Sequence, residues 1–374
     1  MKKLTDVCNI IYGYAFDSKR FNTSKGIPVI RIRDVVRGYT ETFTDEEVSE
    51  EYYIENNDLL VGMDGEFNIG SWKGGHALLN QRVCKLVPGK SVSNRYLYHF
   101  MPHVLKEIEE NTSFVTVKHL SAKHLNSIEF PDISLLEQQK IAAHLDSIQS
   151  AIDNKKQQLQ QLDELVKSKF VEMFGENPVE SGKWKVEKLG DLCSKISDGV
   201  HAKPEYTETG MPFISVVNMN TGKLSFDDCK YVSVEAYEKM IKSTNPEKDD
   251  ILYTKVGATY GISALVDTDK KFCLYVSVAL LKPLHDKIDS QFLTSTMMMP
   301  YVKQQADNSI KGIGVPDLHL NQIRAFKIAV PPIELQNDFA TFVQKIDSAK
   351  AIIKTQLVDL QELLDSKVDE YFGE

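Results

Sequence analysis

The nine residues beginning at Ser168, "SKFVEMFGE", return from Ser366 as "SKVDEYFGE", 198 positions further on. Followed upstream at the same offset, Ala142 falls on Ala340, Ile148 on Ile346, Leu162 on Leu360 and Leu165 on Leu363. Before the first ending, apolar residues stand at Ile141, Leu145, Ile148, Ile152, Leu159, Leu162 and Val166, with Lys155 and Lys169 in the gaps. Before the second they stand at Phe339, Val343, Ile346, Ile353, Leu357, Leu360 and Leu364, with gaps at Lys350 and Lys367. Alternating steps of four and three predict the seam of a coiled coil. No glycine or proline interrupts either stretch before its "FGE", so each is expected to run as a helix of about 38 residues, roughly 57 Å at the standard rise.

The duplication extends into what precedes each helix. "KLTDVC" at Lys3 matches "KLGDLC" at Lys188, "GIPVIRIRDVVRG" at Gly26 matches "GMPFISVVNMNTG" at Gly210, and "DLLVGMDG" at Asp58 matches "DILYTKVG" at Asp250. Runs such as "PVIRIRDVV", "LLNQRVCKLV", "PFISVV" and "CLYVSVALL" read as strands, and "NRYLYHFMPHVLKEIEE" and "SQFLTSTMMMPYVKQQ" as helices. The expected fold is α+β: two similar strand-rich domains separated by two long antiparallel coiled-coil helices in a pseudo-twofold arrangement. The boundaries expected are 1–133 for the first domain, 134–176 for the central helix, 177–188 for a linker carrying Asn177-Pro178 and Ser181-Gly182, 189–332 for the second domain and 333–374 for the last helix.

Composition narrows the function. The chain is 42% hydrophobic, with no apolar run able to span a bilayer, and Asp6 and Asn9 interrupt the only leader-like stretch, so a cytoplasmic protein with no membrane contact is expected. Five scattered cysteines without CxxC spacing speak against disulfides and a zinc site. The net charge of −9 argues at first against nucleic acid, but residues 134–176 hold seven acidic and five basic groups and 334–374 hold nine and four, leaving the two domains nearly neutral. Phosphate-loop, HExxH and GxSxG patterns are absent, and "VPPIEL" lacks the polar and aromatic residues with which an adenine methyltransferase would hold a flipped base. No catalytic or metal-ligating residue is expected.

The order of a variable domain, a proline-led helix entry, a long helix ending in "KSKFVEMFG", a second variable domain and a second such helix resembles the DNA-specificity subunit of type I restriction-modification systems. "LLEQQKIAAHLDSIQSAIDNKKQQLQQLDELVKSKFVEMFG" is similar to that family's central region, and "IGVPDLHLNQIRAFKIAVPPIELQ" to its domain-to-helix junction. The second helix entry, Ile333-Glu334-Leu335-Gln336-Asn337, departs from the family's Leu-Glu-Glu-Gln pattern. The resemblance implies a non-catalytic subunit that reads a bipartite site on double-stranded DNA and docks two methyltransferase subunits, with restriction subunits able to join. It places S-adenosylmethionine, ATP and Mg in those partners and no cofactor in this chain. A coiled-coil scaffold joining two protein-binding modules, and the recognition subunit of a fused restriction-methylation enzyme, are the alternatives.

DNA contacts are expected at polar loops. Arg31 and Arg33, two apart on an expected strand, would share a face and reach phosphates or guanine edges, a solvated strand face being the competing reading. In "GMDGEFNIG", Asp64 and Glu66 would accept from cytosine and Asn68 would pair with adenine, against a plain hairpin loop. The matching "TKVGATYG" offers Lys255, Thr259 and Tyr260. Lys118, His119 and Lys311 would meet phosphates, and His201, Lys203, Asn218 and Asn220 complete the second domain's set. Phe170, Phe174, Tyr371 and Phe372 are expected to pack the helix ends and to extend to a partner subunit.

Overall fold

The computed structural model describes residues 1–111, 118–219, 221–310 and 314–373. Asn220 and Lys311 lie outside the described residues. The chain forms two compact units: Met1–Gln157 with Lys354–Glu374, and Gln158–Ile353. The division cuts both long helices, Leu135–Phe174 and Ile333–Phe372, so each unit contains the start of one and the end of the other.

In the first unit, Cys8–Tyr12, Val83–Pro88, Leu59–Gly62 and Asn68–Ser71 form an antiparallel sheet in that spatial order. A smaller sheet pairs Ile27–Ile30 in parallel with Ala77–Leu79. The expected strand "LLNQRVCKLV" is therefore two strands in different sheets, broken at Asn80–Arg82. "PVIRIRDVV" also divides: the strand stops at Ile30 and Ile32–Arg37 is a helix. The period-two pattern there yields to local capping, since the Asp34 carboxylate accepts from the Arg31 N–H at 3.0 Å and Gly38, at φ +75°, ends the turn in the left-handed region. Arg31 and Arg33 consequently do not share a strand face.

The helix Asn94–Asn111 and the start of the first long helix close the core beneath the main sheet, with Tyr96, Leu97, Phe100 and Met101 packed on Ile141, Ala142 and Leu145. Leu364, Val368, Tyr371 and Phe372 from the end of the second long helix lie against the same core. Gln138, 2% exposed, ties the helix entry down: its side-chain N–H groups donate to the carbonyls of Ser91 and Ile133, and its oxygen accepts from Ser93 N–H.

Asp146, about two turns past Gln138 along the same helix, accepts from Arg95 and from His99 Nε2 at 2.7 Å. Burial lowers the His99 pKa despite the carboxylate's opposing pull. The unfolded chain, with an ordinary value of about 6.5, binds the proton more readily, so this contribution to stability is complete above that value and is lost as pH falls below it. Thermal unfolding of the wild-type chain is expected to lose more ground between pH 7.5 and 5.5 than that of His99→Gln; equal losses would discount the histidine.

The second unit repeats the pattern. Cys193–Asp198, Val278–Pro283, Ile251–Thr254 and Ser263–Leu265 form the antiparallel sheet, and Met211–Ile214 pairs in parallel with Cys273–Leu274. "VVNM" is a single 3-10 turn and not a strand continuation. In the consecutive run Met297-Met298-Met299, Met297 and Met299 are buried and Met298 is 45% exposed. Phe170 and Phe174, from the end of the first long helix, pack with Phe292 and Phe339 in the main core. Gln336, fully buried, reproduces Gln138: it donates to the carbonyls of Pro331 and Lys287 and accepts from Asp289 N–H. The altered helix entry thus retains the same anchor.

All five cysteines are buried free thiols, and burial pushes those of Cys8, Cys84, Cys193 and Cys273 up to about 12, which keeps them protonated. No helix among the described residues is long and apolar enough to cross a membrane.

Candidate nucleic-acid interface

Three loops of the first unit meet around a cleft of about 690 Å³. The capped turn after Ile30 presents Arg31 and Arg33, both exposed. The hairpin between Leu59–Gly62 and Asn68–Ser71 brings Asp64, Glu66 and Asn68, with Gly65 at φ +76° where a Cβ would be strained. The break between the sheets contributes Asn80, Gln81 and Arg82, while Phe16 and Phe21 supply apolar wall. A strap formed by residues 118–120 fixes the hairpin tip: Gly65 N–H donates to the Lys118 carbonyl at 3.0 Å, and Leu120 N–H to that of Met63 at 2.7 Å.

Five of the expected contacts therefore share one cleft, with roles that differ from the expectation. Asp64 is not a free acceptor for a cytosine amino group. Its Oδ2 lies 2.7 Å from Arg82 Nη1 and its Oδ1 2.5 Å from His119 Nδ1. Glu66 is exposed, and Asn68 donates to the Glu66 carbonyl while its buried Oδ1 has no hydrogen-bond partner among the described residues. Lys118 is engaged with Glu109 at 3.2 Å. Asn80, Gln81 and Arg82 read in the sequence as part of one long strand and not as a loop. The run of three polar residues, Asn80-Gln81-Arg82, between Ala77-Leu78-Leu79 and Val83-Cys84 is the available signal for a loop.

The second unit gathers its expected residues less well. Lys255 is buried, with Nζ 3.4 Å from both Asp198 and Asp317, so its charge is spent inside the domain. Asn218 is also buried, accepting from Ser215 N–H at 3.1 Å just as Asp34 accepts from Arg31 in the first unit. Neither is placed to touch a base. His201, 77% exposed, stands 3.5 Å from Asp198, and the Lys203 ammonium lies 5.9 Å from the Tyr206 ring centre. Thr259 is exposed; the Tyr260 hydroxyl donates to Asp307, whose pKa is lowered by its bonds to Lys303 and Tyr260.

Two of the four helix-end aromatics also need correction as partner contacts. Phe170 and Phe174 are 1% and 3% exposed inside their own unit, so their rings offer no surface to another chain. Tyr371 and Phe372 are half-buried; the Tyr371 hydroxyl bonds to His144 and the Phe372 ring lies 5.4 Å from that of Tyr96.

Residues 1–164 and 181–362 match the family model described as the type I restriction modification DNA specificity domain. The chain is 30% identical, over 97% of its own length and 83% of the relative's, to the type I restriction enzyme EcoBI specificity subunit of Escherichia coli. It is 25% identical, over 79% and 72%, to the MjaIX specificity subunit of Methanocaldococcus jannaschii. Among solved structures, the fold is similar to the crystal structure of a type I restriction-modification system S subunit from M. genitalium, with a TM-score of 0.57, 16% identity, and coverage of 100% of this chain and 96% of that one. Two halves that each match the model, around the same duplicated α+β framework, show that the chain belongs to the type I restriction-modification DNA specificity subunit family.

Proposed function

We propose that this specificity subunit reads a bipartite site on double-stranded DNA, with one recognition domain for each half-site, and carries no catalytic chemistry itself. The two long helices act as an antiparallel coiled-coil spacer between pseudo-twofold-related domains at 1–133 and 189–332, joined through 177–188, with the spacer helices at 134–176 and 333–374. Adenine methylation with S-adenosylmethionine belongs to two docked methyltransferase subunits, and ATP- and Mg-dependent cleavage to restriction subunits that join the same complex in the cytoplasm.

The observation that carries this reading is the cleft of the first unit. Arg31, Arg33 and Arg82 surround Glu66, Gln81 and Asn68 at loop tips, a set able to serve phosphate oxygens and base edges together. The second unit's loops differ in residue type at most matching positions, as two different half-sites require.

The test is to co-express the chain with its methyltransferase and map N6-methyladenine across host DNA. A bipartite motif with an unspecified gap is expected, and exchanging residues 1–133 for another recognition domain should change only one half. A soluble, active methyltransferase complex that methylates without any sequence preference would overturn the reading.

A further inference from the structure

We propose that Arg82, held in place by Asp64, is a guanine-reading residue of the first unit, so that its half-site includes a guanine whose identity depends on this side chain. The inference rests on the reading that this cleft faces DNA, and goes beyond it by naming a residue, a base and the group that orients it.

Arg82 is anchored at both ends. Its carbonyl accepts from Met63 N–H at 3.0 Å, which pins the backbone to the hairpin loop, and its Nη1 meets Asp64 Oδ2 at 2.7 Å. The side chain is nevertheless 53% exposed at the cleft, whereas Asp64 is 18% exposed. A guanidinium has five N–H donors. A carboxylate contact through Nη1 leaves other donors of the planar fork for the O6 and N7 of guanine.

His119 holds the other oxygen of the same carboxylate. Asp64 can only accept, so the Nδ1 facing it carries the proton. With both oxygens engaged, Asp64 cannot swing towards a base and acts as a positioning residue for Arg82. An arginine held in this way loses less conformational freedom on binding than a free one, which favours a specific contact over a diffuse attraction to phosphate.

The second unit provides an internal comparison. Its equivalent backbone bond runs from Lys255 N–H to the Ser277 carbonyl, and its equivalent bridge pairs Val256 with Asp317. Serine, valine and aspartate thus stand where the first unit has Arg82, Asp64 and His119. The inferred arginine contact belongs to one half-site alone.

The experiment maps methylation by complexes carrying Arg82→Ala, Asp64→Asn or both, with thermal unfolding and complex assembly measured on each preparation. Arg82→Ala should reduce discrimination at one guanine of the first half-site by about 10-fold or more and leave the second half-site intact. Asp64→Asn should relax the same position, and Asp64→Glu should restore it in part, while the double variant should be no more relaxed than Arg82→Ala. Binding to a duplex bearing the mapped site should keep its salt slope in Arg82→Ala.

An unchanged motif with uniformly weaker methylation and a salt slope reduced by about one would make Arg82 a phosphate contact and overturn the proposal. Relaxation by Asp64→Asn at a different position would overturn the positioning role. If the wild-type complex itself shows no bipartite motif, the proposed function fails first, and that result is distinct from either of these.

Discussion

Phe170→Ala is expected to destabilise the second unit by about 3–5 kcal/mol, the range for removing a buried phenylalanine ring. The ring is 1% exposed and packs at 5.9 Å, nearly parallel, on Phe292, with Phe174 at 5.0 Å and Phe339 edge-on at 5.5 Å. Its loss leaves a void where two parts of the long helices meet the domain core, so collapse around it is opposed by several rigid elements. Thermal unfolding should show the loss directly, and Phe170→Leu should recover most of it. Phe372→Ala, in the first unit at the repeat of Phe174 (Phe170 itself repeats as Val368), should cost less because that ring is only half-buried. The comparison separates packing from docking: a ring that served a partner subunit would leave the unfolding temperature unchanged and abolish assembly. The buried geometry requires the reverse order of effects.

Gln336→Leu is expected to cost a similar amount for a different reason. Leucine fills nearly the same space but strands the Asp289 N–H and the carbonyls of Pro331 and Lys287, three backbone groups with poor access to water. At about 1–3 kcal/mol for each unsatisfied group, and with partial relaxation, the total should be about 3–5 kcal/mol. For a unit of this size that corresponds to a fall of roughly 10 °C in melting temperature. Gln336→Glu should not rescue it, since a carboxylate keeps the acceptor, loses both donors and buries a charge. Gln138→Leu should repeat the effect in the first unit. If both leucine variants melt with the wild type, water must reach these groups and the anchoring account is wrong.

The two kinds of effect also mark what a sequence can disclose. The long helices are legible because an apolar step of four and three, uninterrupted by glycine or proline, has few other solutions. The duplication is legible because it requires only comparison of the chain with itself. Gln138 and Gln336 were not, since a glutamine at a helix start reads as surface until the carbonyls facing it are known. Arg31 and Arg33 read as strand residues by alternation, which is weak evidence over four residues, and a single capping carboxylate at Asp34 outweighs it. Lys255 reads as a DNA contact in the sequence because its two neutralising aspartates come from distant parts of the chain. Arg82 is hidden within an apparent strand in the sequence, yet it is the residue that Asp64 holds. Loop chemistry depends on which segments meet, and pairwise meeting is what local pattern does not encode.

The first unit draws on both extremes of the chain: residues 1–157 are completed by 354–374, which place Leu364, Val368, Tyr371 and Phe372 against its core. The second unit, 158–353, is continuous. On a ribosome adding about 5–20 residues each second, roughly 10–40 s separate synthesis of the two parts of the first unit. During that interval its aromatic floor around Tyr96 and Phe100 lacks its final cover, while the later-made unit has all it needs to close. Vectorial synthesis thus reverses the expected sequence of maturation: the domain translated first is finished last.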